Sequence, residues 1–142
     1  MEISTDWTPE VASEYVQNYV QGGRILLKHQ AVALRIADMA TRIAAVRALL
    51  ESASRAVDEN APDADTLCNM VKLFASEEIM KVAQHAVELH GGNGMMLDFG
   101  VEKVFRDAAI FPHMDGTVDI SKFKIVKALF PDTAGKYAGP EA

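Results

Sequence analysis

Apolar positions recur every three or four residues along most of the chain between Thr8 and Leu129, with polar residues filling the positions between them. A period near 3.6 residues is typical of amphipathic helices, whereas strands alternate every second residue. No alternating run of β-branched residues bounded by turns competes with it. The pattern therefore predicts an all-α protein, a four-helix-type up-down bundle with two long helices and shorter terminal helices.

Two long segments carry the clearest apolar stripes. One is predicted from about His29 to Asn60 and the other from after Pro62 to Leu89. Pro62 separates them because proline fits the first turn of a helix and not its interior. The first stripe contains Val32, Ile36, Met39, Ile43, Val46 and Leu50, and the second contains Leu67, Val71, Phe74, Ile79, Val82, Ala86 and Leu89.

Shorter helices are predicted at both ends of the chain. Thr8 and Pro9 have the form of an N-cap and first helical position, and Gly22 with Gly23 ends this first helix. Its apolar residues are Val11, Tyr15 and Tyr19. The remaining helical segments are 101–107 and 117–130. We predict one bundle domain over residues 1–130 and, from Pro131, a C-terminal tail over 131–142.

Composition narrows the functional classes. The chain has 142 residues, 49% of them apolar, and a net charge of -6, which disfavours nucleic acid as a partner. No apolar run approaches the ~20 residues needed to cross a membrane, and the acidic start MEISTDW has no signal-peptide pattern. Cys68 is the single cysteine, which suits a reducing compartment. These features predict a cytoplasmic protein that does not enter a membrane.

A glycine-rich stretch, HGGNG at 90–94, has two compatible interpretations. Glycine in a left-handed conformation is the usual way to end a helix. A dinucleotide-binding loop instead needs its glycines between a strand and a helix, and here they follow a helix. Gly92 or Gly94 also permits a close approach of backbone amides to an anion.

Ordered motifs over residues 12 to 130 resemble one family. The run AVELHGGNGMMLDFGVEKVFRDAAIFPHMDGT resembles the end of the C-terminal helical domain of the flavin-dependent acyl-CoA dehydrogenases. That domain reads Gln-x-x-Gly-Gly-x-Gly, Val-Glu-Lys/Arg, Arg-Asp-Ala and Glu-Gly-Thr. Upstream, HQAVALRIADMATRIAAVRALL and KLFASEEIMKVAQHAVEL resemble its two long helices.

The resemblance implies a reaction and a base. Such flavoproteins are oxidoreductases of fatty acid metabolism that convert acyl-CoA to enoyl-CoA. FAD accepts a hydride, a carboxylate takes the α-proton, and an electron-transferring flavoprotein receives the electrons. The Glu of Glu-Gly-Thr falls on Asp115, which is one methylene shorter, and misplacement by about 1 Å can cost about a hundredfold in rate. The alternative for Asp115 is a turn residue, since Asp-Gly is a favoured turn pair.

The resemblance also implies FAD-binding positions, several of them altered. They are Glu88, Gly91, Gly92, Thr117 and Asp119, with Arg24 as a nearby compensating cation. Tyr19 stands where the family has an arginine that pairs with the pyrophosphate, and Gly22 where it has a phenylalanine. Glu88 replaces a glutamine, and Asp119 replaces an amide or Glu. Losing a cation or adding an anion opposes diphosphate binding by roughly 1–3 kcal/mol each, so we expect FAD binding to be weakened or lost.

The resemblance and the altered positions are compatible with two functions. In the first, the chain is the C-terminal domain or a separate subunit of an FAD-dependent acyl-CoA dehydrogenase, inactive alone. Met1 favours the separate subunit, and a partner would then supply the missing N-terminal and middle domains. In the second, it is a non-catalytic helical oligomerisation module descended from that family. The acyl chain length is not specified in either case.

Other residues have more than one interpretation. Arg106 and Asp107 serve a site, an interface or a local ion pair that ties a loop to the bundle. The four histidines lack the spacing of a helical metal pair, so no metal site is predicted. Methionines beside Phe99 and Phe111 form an acyl-facing wall or fill gaps; they are Met95, Met96 and Met114. We predict a homodimer or homotetramer through the long helices, with apolar residues off the core stripes at Leu26, Leu27, Leu34, Leu49 and Phe123.

Overall fold

The computed structural model describes the backbone of residues 7–134 and the side chains of residues 12–132. Its helices confirm the predicted all-α class. They are α1 (Trp7–Asn18), α2 (Gln30–Asp58), α3 (Ala64–His90), α4 (Val101–Ile110), α5 (Val118–Leu129) and α6 (Pro131–Ala134). Short 3₁₀ turns occupy Leu26–Lys28, Gly91–Met95, Leu97–Phe99 and Phe111–His113. None of the helices in this part of the chain is long and apolar enough to span a bilayer.

Both ends of the chain differ from the prediction. Helix α1 already includes Trp7, so Thr8 lies inside the helix and not at its N-cap. The Val11 side chain lies outside the described residues. At the other end, Pro131 does not simply terminate the chain's helices, because it begins the one-turn helix α6. Proline is well suited to a first helical position, since its missing N–H has no helical acceptor there. The predicted tail beyond 134 lies outside the described residues.

Gly22 and Gly23 have a different role from the one predicted. Helix α1 ends at Asn18, and the two glycines form the turn of a hairpin between β1 (Val20–Gln21) and β2 (Arg24–Ile25). Their φ angles are 60° and 78°. A two-residue hairpin turn of this kind needs positive φ at both central positions, which glycine adopts without strain. Strands of two residues have no alternation that the sequence pattern reveals.

The chain divides into two compact units. The first unit comprises the described residues up to Ala45 together with Glu78–Ile110. The second unit comprises Val46–Glu77 together with the described residues from Phe111 onward. Each unit thus contains part of α2 and part of α3.

The first unit has a contiguous apolar core. Helices α1, α2, α3 and α4 all contribute to it, and the half-buried side chains of Val32, Ile36 and Ile43 pack against it. Its buried members are Ala12, Val16, Leu26, Met39, Val82, Ala86, Leu89 and Val101. The predicted inner stripes of the two long helices are therefore confirmed within this unit.

Within the first unit α2 and α3 run antiparallel. Ion pairs join Arg35 to Glu88, and Arg42 to Glu78, so residue numbers rise along one helix as they fall along the other. This agrees with the predicted up-down order for these two segments.

The second unit buries smaller side chains. Val46 is its largest buried apolar residue among those described, and the others are alanines with two serines. They are Ala53, Ala56, Ala75, Ser76 and Ser121. Large apolar side chains of this unit are exposed, namely Leu50, Val57, Phe74, Ile120, Phe123, Val126, Leu129 and Phe130. The predicted burial of Leu50 and Phe74 is therefore wrong for this chain taken alone.

Several single-residue expectations also need correction. Of the five positions placed off the core stripes, Leu27, Leu34 and Phe123 are exposed and Leu49 is half-buried. Leu26 is instead buried in the core of the first unit. Tyr19, predicted on the apolar side of the first helix, lies beyond the end of α1 and is 43% exposed.

Two other interpretations are wrong in detail. Arg106 and Asp107 do form local ion pairs, but with Glu102 and Lys103 one turn earlier on the same helix α4. They therefore tie no loop to the rest of the unit. Met95 and Met96 are 72% and 52% exposed, so they do not fill a gap in a core.

The glycines after α3 act as predicted at one position. Helix α3 ends at His90, and Gly91 follows in the left-handed region at φ 56°. Gly94 is needed for space, because a Cβ there would lie 2.4 Å from the carbonyl oxygen of Val87. The chain then continues as 3₁₀ turns into α4.

Candidate functional site

Candidate residues fall in two places, one in each unit. In the first unit a cavity of about 440 Å³ opens beside the C-terminal end of α3. Its volume lies in the usual range of small-molecule sites. The cavity brings together Tyr19, Glu88, Gly91 and Gly92 from the predicted FAD-binding positions. Its remaining lining residues are Tyr15, Gln21, Leu26, Val32, Arg35, Leu89, His90 and Asn93.

Three stacked rings form one wall of the cavity. Tyr19 stacks on Tyr15 at 4.9 Å between ring centroids, and Tyr15 stacks on His90 at 4.1 Å. Asn93 Nδ2 donates to the Tyr15 hydroxyl at 2.9 Å. His90 Nδ1 lies 2.8 Å from the Ala86 carbonyl, which can only accept, so Nδ1 carries the proton. Burial lowers the pKa of His90, which keeps this ring neutral at neutral pH.

The charged groups of the cavity are already paired. Arg35 Nη1 lies 3.0 Å from a carboxylate oxygen of Glu88. Gln84 donates to the other oxygen of Glu88 at 3.0 Å. The hydrogen bond from Gln84 and the charge of Arg35 lower the pKa of Glu88, so its carboxylate is ionised. The one cation of the lining, Arg35, is therefore paired with the carboxylate of Glu88.

This lining does not fit the diphosphate of FAD. A diphosphate needs cations or convergent donors that are not engaged elsewhere. Arg35 is engaged by Glu88, His90 is neutral, and Tyr19 offers a ring face where the family has an arginine. Arg24, the predicted compensating cation, lies on β2 and is not among the lining residues.

A second charged cluster in the first unit surrounds Glu78. This carboxylate is buried and receives a hydrogen bond from Arg42 Nη1 and one from Lys81 Nζ at 2.7 Å. Arg42 Nε also donates to Asp38 Oδ2 at 2.7 Å. Burial acts to raise the pKa of Glu78, but the bonds from Lys81 and Arg42 outweigh it and lower that pKa. The cluster has no signature in the sequence, because Arg42 and Glu78 are 36 residues apart.

Two histidines outside the cavity lining, His29 and His85, have polar neighbours. His29 Nε2 lies 3.0 Å from the Gln21 carbonyl, and His85 Nε2 lies 3.4 Å from Asp38 Oδ2. Among the side chains of residues 12–132, no three His, Cys, Asp or Glu converge on a possible metal position.

Asp115 lies in the second unit, in the segment between a 3₁₀ turn and α5. The turn Phe111–His113 precedes it, and α5 begins three residues later at Val118. Asp115 is exposed and has φ 51°, and Gly116 has φ 95°. Asp is one of the few non-glycine residues that visits this left-handed region, so the turn interpretation is confirmed at the backbone. An exposed carboxylate in that turn remains compatible with a role as a base.

Lys72 of α3 contacts the same segment and was missed from the sequence. Its Nζ donates to the Phe111 carbonyl at 2.6 Å and to the Met114 carbonyl at 2.7 Å. The ammonium also lies 4.7 Å from the centroid of the Phe111 ring. A lysine within the apolar run MVKLFA is the only hint that the sequence gives.

Thr117 and Asp119 begin α5. Thr117 occupies the N-cap position in an extended conformation, but its hydroxyl makes no capping hydrogen bond. Asp119 pairs with Lys122 Nζ at 3.0 Å, one turn along the helix. The Asp119 carboxylate is therefore engaged by a cation of its own helix.

Comparison with known proteins assigns the class. Residues 7–130 match the family described as acyl-CoA dehydrogenase, C-terminal domain. The chain is 31% identical over 122 residues to the mitochondrial isobutyryl-CoA dehydrogenase of Bos taurus. The match covers 86% of this chain and 29% of that protein. The chain therefore belongs to the acyl-CoA dehydrogenase C-terminal domain family, as the motifs implied.

Solved structures agree with this assignment. The butyryl-CoA dehydrogenase of Megasphaera elsdenii superposes with a TM-score of 0.83 at 31% identity, covering 87% of this chain and 32% of that one. The FAD complex of PigA gives a TM-score of 0.80 at 29% identity, covering 86% and 32%. The chain thus spans about a third of the length of the proteins it resembles.

Proposed function

We propose that this chain provides the C-terminal helical domain of an FAD-dependent acyl-CoA dehydrogenase, and that it is inactive when isolated. Membership of the family and coverage of about a third of each relative support this proposal. The chain acts either as part of a longer polypeptide or as a separate subunit whose partner carries the other domains. Its bundle corresponds to 1–130 and its tail to 131–142. The assembly works in the cytoplasm.

Asp115 is the proposed base of this dehydrogenase. The α-proton of an acyl thioester is weakly acidic, so its removal needs a carboxylate held at a defined position. Asp115 supplies an exposed carboxylate in a left-handed turn directly before α5. That placement, in the segment that resembles Glu-Gly-Thr, is the observation that carries the proposal. The proton moves from the α-carbon to a carboxylate oxygen of Asp115.

We propose fewer contacts between this chain and FAD than the six positions that the resemblance implies. Thr117, Gly91 and Gly92 keep the residue types that the resemblance implies, and they remain candidates for contacts with FAD. Glu88 and Asp119 are engaged in ion pairs, and Arg24 is exposed on β2. We therefore propose that the phosphates of the cofactor are held by the remaining two thirds of the protein.

The second candidate function is a non-catalytic oligomerisation module. The paired Arg35 and Glu88 in the cavity favour it, because they offer no free cation to a flavin diphosphate. Exposed leucines on α2 support assembly of either candidate as a homodimer or homotetramer through the long helices. Leu34 is 65% exposed and Leu50 is 47% exposed.

The experiment that tests Asp115 measures α-proton exchange. The chain is assembled with the domains it lacks, butyryl-CoA is added in heavy water, and deuterium at the α-carbon is followed by mass spectrometry. Asp115→Asn should abolish exchange while the assembly stays intact, since Asn keeps the turn and loses the base. Asp132→Asn removes another exposed carboxylate of the second unit and should leave exchange unchanged.

A second measurement separates the two functions. Under the first proposal the isolated chain binds no FAD and forms no enoyl-CoA, and the assembled protein gains both properties. Under the module alternative the assembled protein lacks α-proton exchange as well. Full exchange by assembled Asp115→Asn would place the base elsewhere and overturn the role given to Asp115.

A further inference from the structure

Lys72 reaches from α3 to the segment that carries Asp115. From its two hydrogen bonds we infer that Lys72 is a positioning residue. It sets the location of the Asp115 carboxylate because its Nζ binds the carbonyl oxygens of Phe111 and Met114. This inference rests on the proposed role of Asp115. Lys72 itself is not placed at the reacting atoms.

The two carbonyls have a reason to need this lysine. They belong to the first residue of the short 3₁₀ turn Phe111–His113 and to the residue directly after it, so one ammonium group joins the two ends of this turn. An ammonium group offers three donors, and two of them are used at 2.6 and 2.7 Å. Bonds from a charged donor are shorter and stronger than neutral ones. The Phe111 ring beside the ammonium adds a further attraction.

Asp115 is held between two fixed points. The Met114 carbonyl, bound by Lys72, belongs to the residue directly before it, and α5 begins three residues after it. A non-glycine residue at φ 51° is maintained only when its surroundings favour that conformation. Without Lys72, the N-terminal side of this turn loses its anchor and the carboxylate samples other positions. Misplacement of a catalytic group by about 1 Å can cost about a hundredfold in rate.

The first test uses the isolated chain and amide hydrogen exchange. Lys72→Met keeps the aliphatic stem and removes the donors, so exchange at residues 114–118 should rise at least about tenfold. Lys124→Met removes an exposed lysine from α5 in the same unit and should leave this segment unchanged. Ala56→Gly destabilises α2 within the second unit and changes no residue of the segment 111–118. It therefore shows whether general loosening of the unit produces the same change.

The second test uses the assembled dehydrogenase and butyryl-CoA. Lys72→Met should lower the rate of α-proton exchange at saturation by about 10–100-fold and change KM by less than about threefold. A chemical rescue follows in a Cys68→Ser background, where Lys72→Cys is alkylated with 2-bromoethylamine to give a lysine analogue. The rescued protein should recover most of the rate and the slow amide exchange.

Each result decides between the claims. Unchanged exchange at 114–118 in Lys72→Met, or the same increase in Ala56→Gly, overturns the anchoring role. A loosened segment with an unchanged α-proton rate overturns the positioning role while Asp115→Asn remains inactive. If Asp115→Asn is fully active, the proposed base is wrong, and the amide exchange data still report independently on the anchor. Loss and rescue of both readouts together support the inference.

Discussion

The first unit and the second unit use the same two long helices differently. In the first unit Met39 on α2 is 2% exposed and lies in a contiguous core with residues of α1, α3 and α4. In the second unit Leu50, three turns further along the same stripe, is 47% exposed. The largest apolar residue buried there is Val46 among the side chains described.

This difference shows that the apolar face of a helix and the burial of that face are separate properties. The spacing of apolar residues on α2 correctly indicates which face of the helix is apolar. It does not indicate whether another element of the same chain covers that face. A stripe that continues beyond the local core indicates a surface for a further domain or a second copy. The fraction of the relatives that this chain spans agrees with that explanation.

The largest expected effect breaks the core of the first unit. Met39→Ala should lower the free energy of unfolding by about 2–4 kcal/mol, because it leaves a cavity among buried side chains. Leu50→Ala on the same helix should cost less than about 1 kcal/mol, since its side chain is half in water. Urea unfolding followed by circular dichroism measures both. Equal losses would mean that the two units do not differ in the way described.

The next effect concerns assembly. Leu50→Glu places a charge on the exposed stripe and should weaken self-association at least about tenfold, lowering the mass measured by light scattering. Ser52→Glu adds the same charge at an exposed polar position on the other side of α2 and should leave the mass unchanged. If the wild-type chain is monomeric at every concentration, the prediction of a homodimer or homotetramer is wrong.

A smaller effect concerns the buried carboxylate of the first unit. Its pKa is lowered from 4.5, so the stability from ionised Glu78 is present above about pH 4.5 and is lost as pH falls through the lower native pKa. Glu78→Gln weakens the bonds from Arg42 and Lys81 and should cost about 1–2 kcal/mol at neutral pH. It should also flatten the acid side of the stability curve. Glu77→Gln, at the exposed neighbouring position, provides the control.

The smallest effect concerns the stacked histidine. Burial lowers the pKa of His90 from 6.5, so the unfolded chain takes up this proton first as pH falls. Ionisation of His90 should therefore lower Tm as pH falls through the unfolded value of about 6.5. His90→Phe keeps a ring in the stack and should reduce that dependence. The same pH dependence in His90→Phe would assign it to another group.

The long helices could be predicted from sequence because the features that specify a helix lie within the segment itself. Periodicity and Pro62 place α2 and α3 within a few residues of their observed bounds. The hairpin at Gly22 and Gly23 was missed since two-residue strands give no pattern. The predicted stop at Gly91 depends on one residue's conformation, which glycine itself signals.

The candidate sites were predictable only where a motif carries them. Asp115 was predicted because Asp-Gly-Thr resembles the Glu-Gly-Thr motif of the family. Its turn was predictable because Asp-Gly is a favoured turn pair. Lys72 could not be found in this way, since its partners lie 39 and 42 residues away. The pairing of Arg35 with Glu88 likewise depends on how α2 meets α3. Such contacts depend on tertiary packing, which no spacing rule along the chain predicts.

The three glycines of the HGGNG stretch should differ sharply in a library of single substitutions. Gly91 is required by its backbone angle and Gly94 by the carbonyl that a methyl group would strike. At Gly92 an added Cβ meets nothing within 4 Å, and its backbone angle imposes no such demand. Selection for folding alone should thus accept alanine at 92 and reject it at 91 and 94. Intolerance at 92 under selection for activity would then mark a contact outside this chain's own fold.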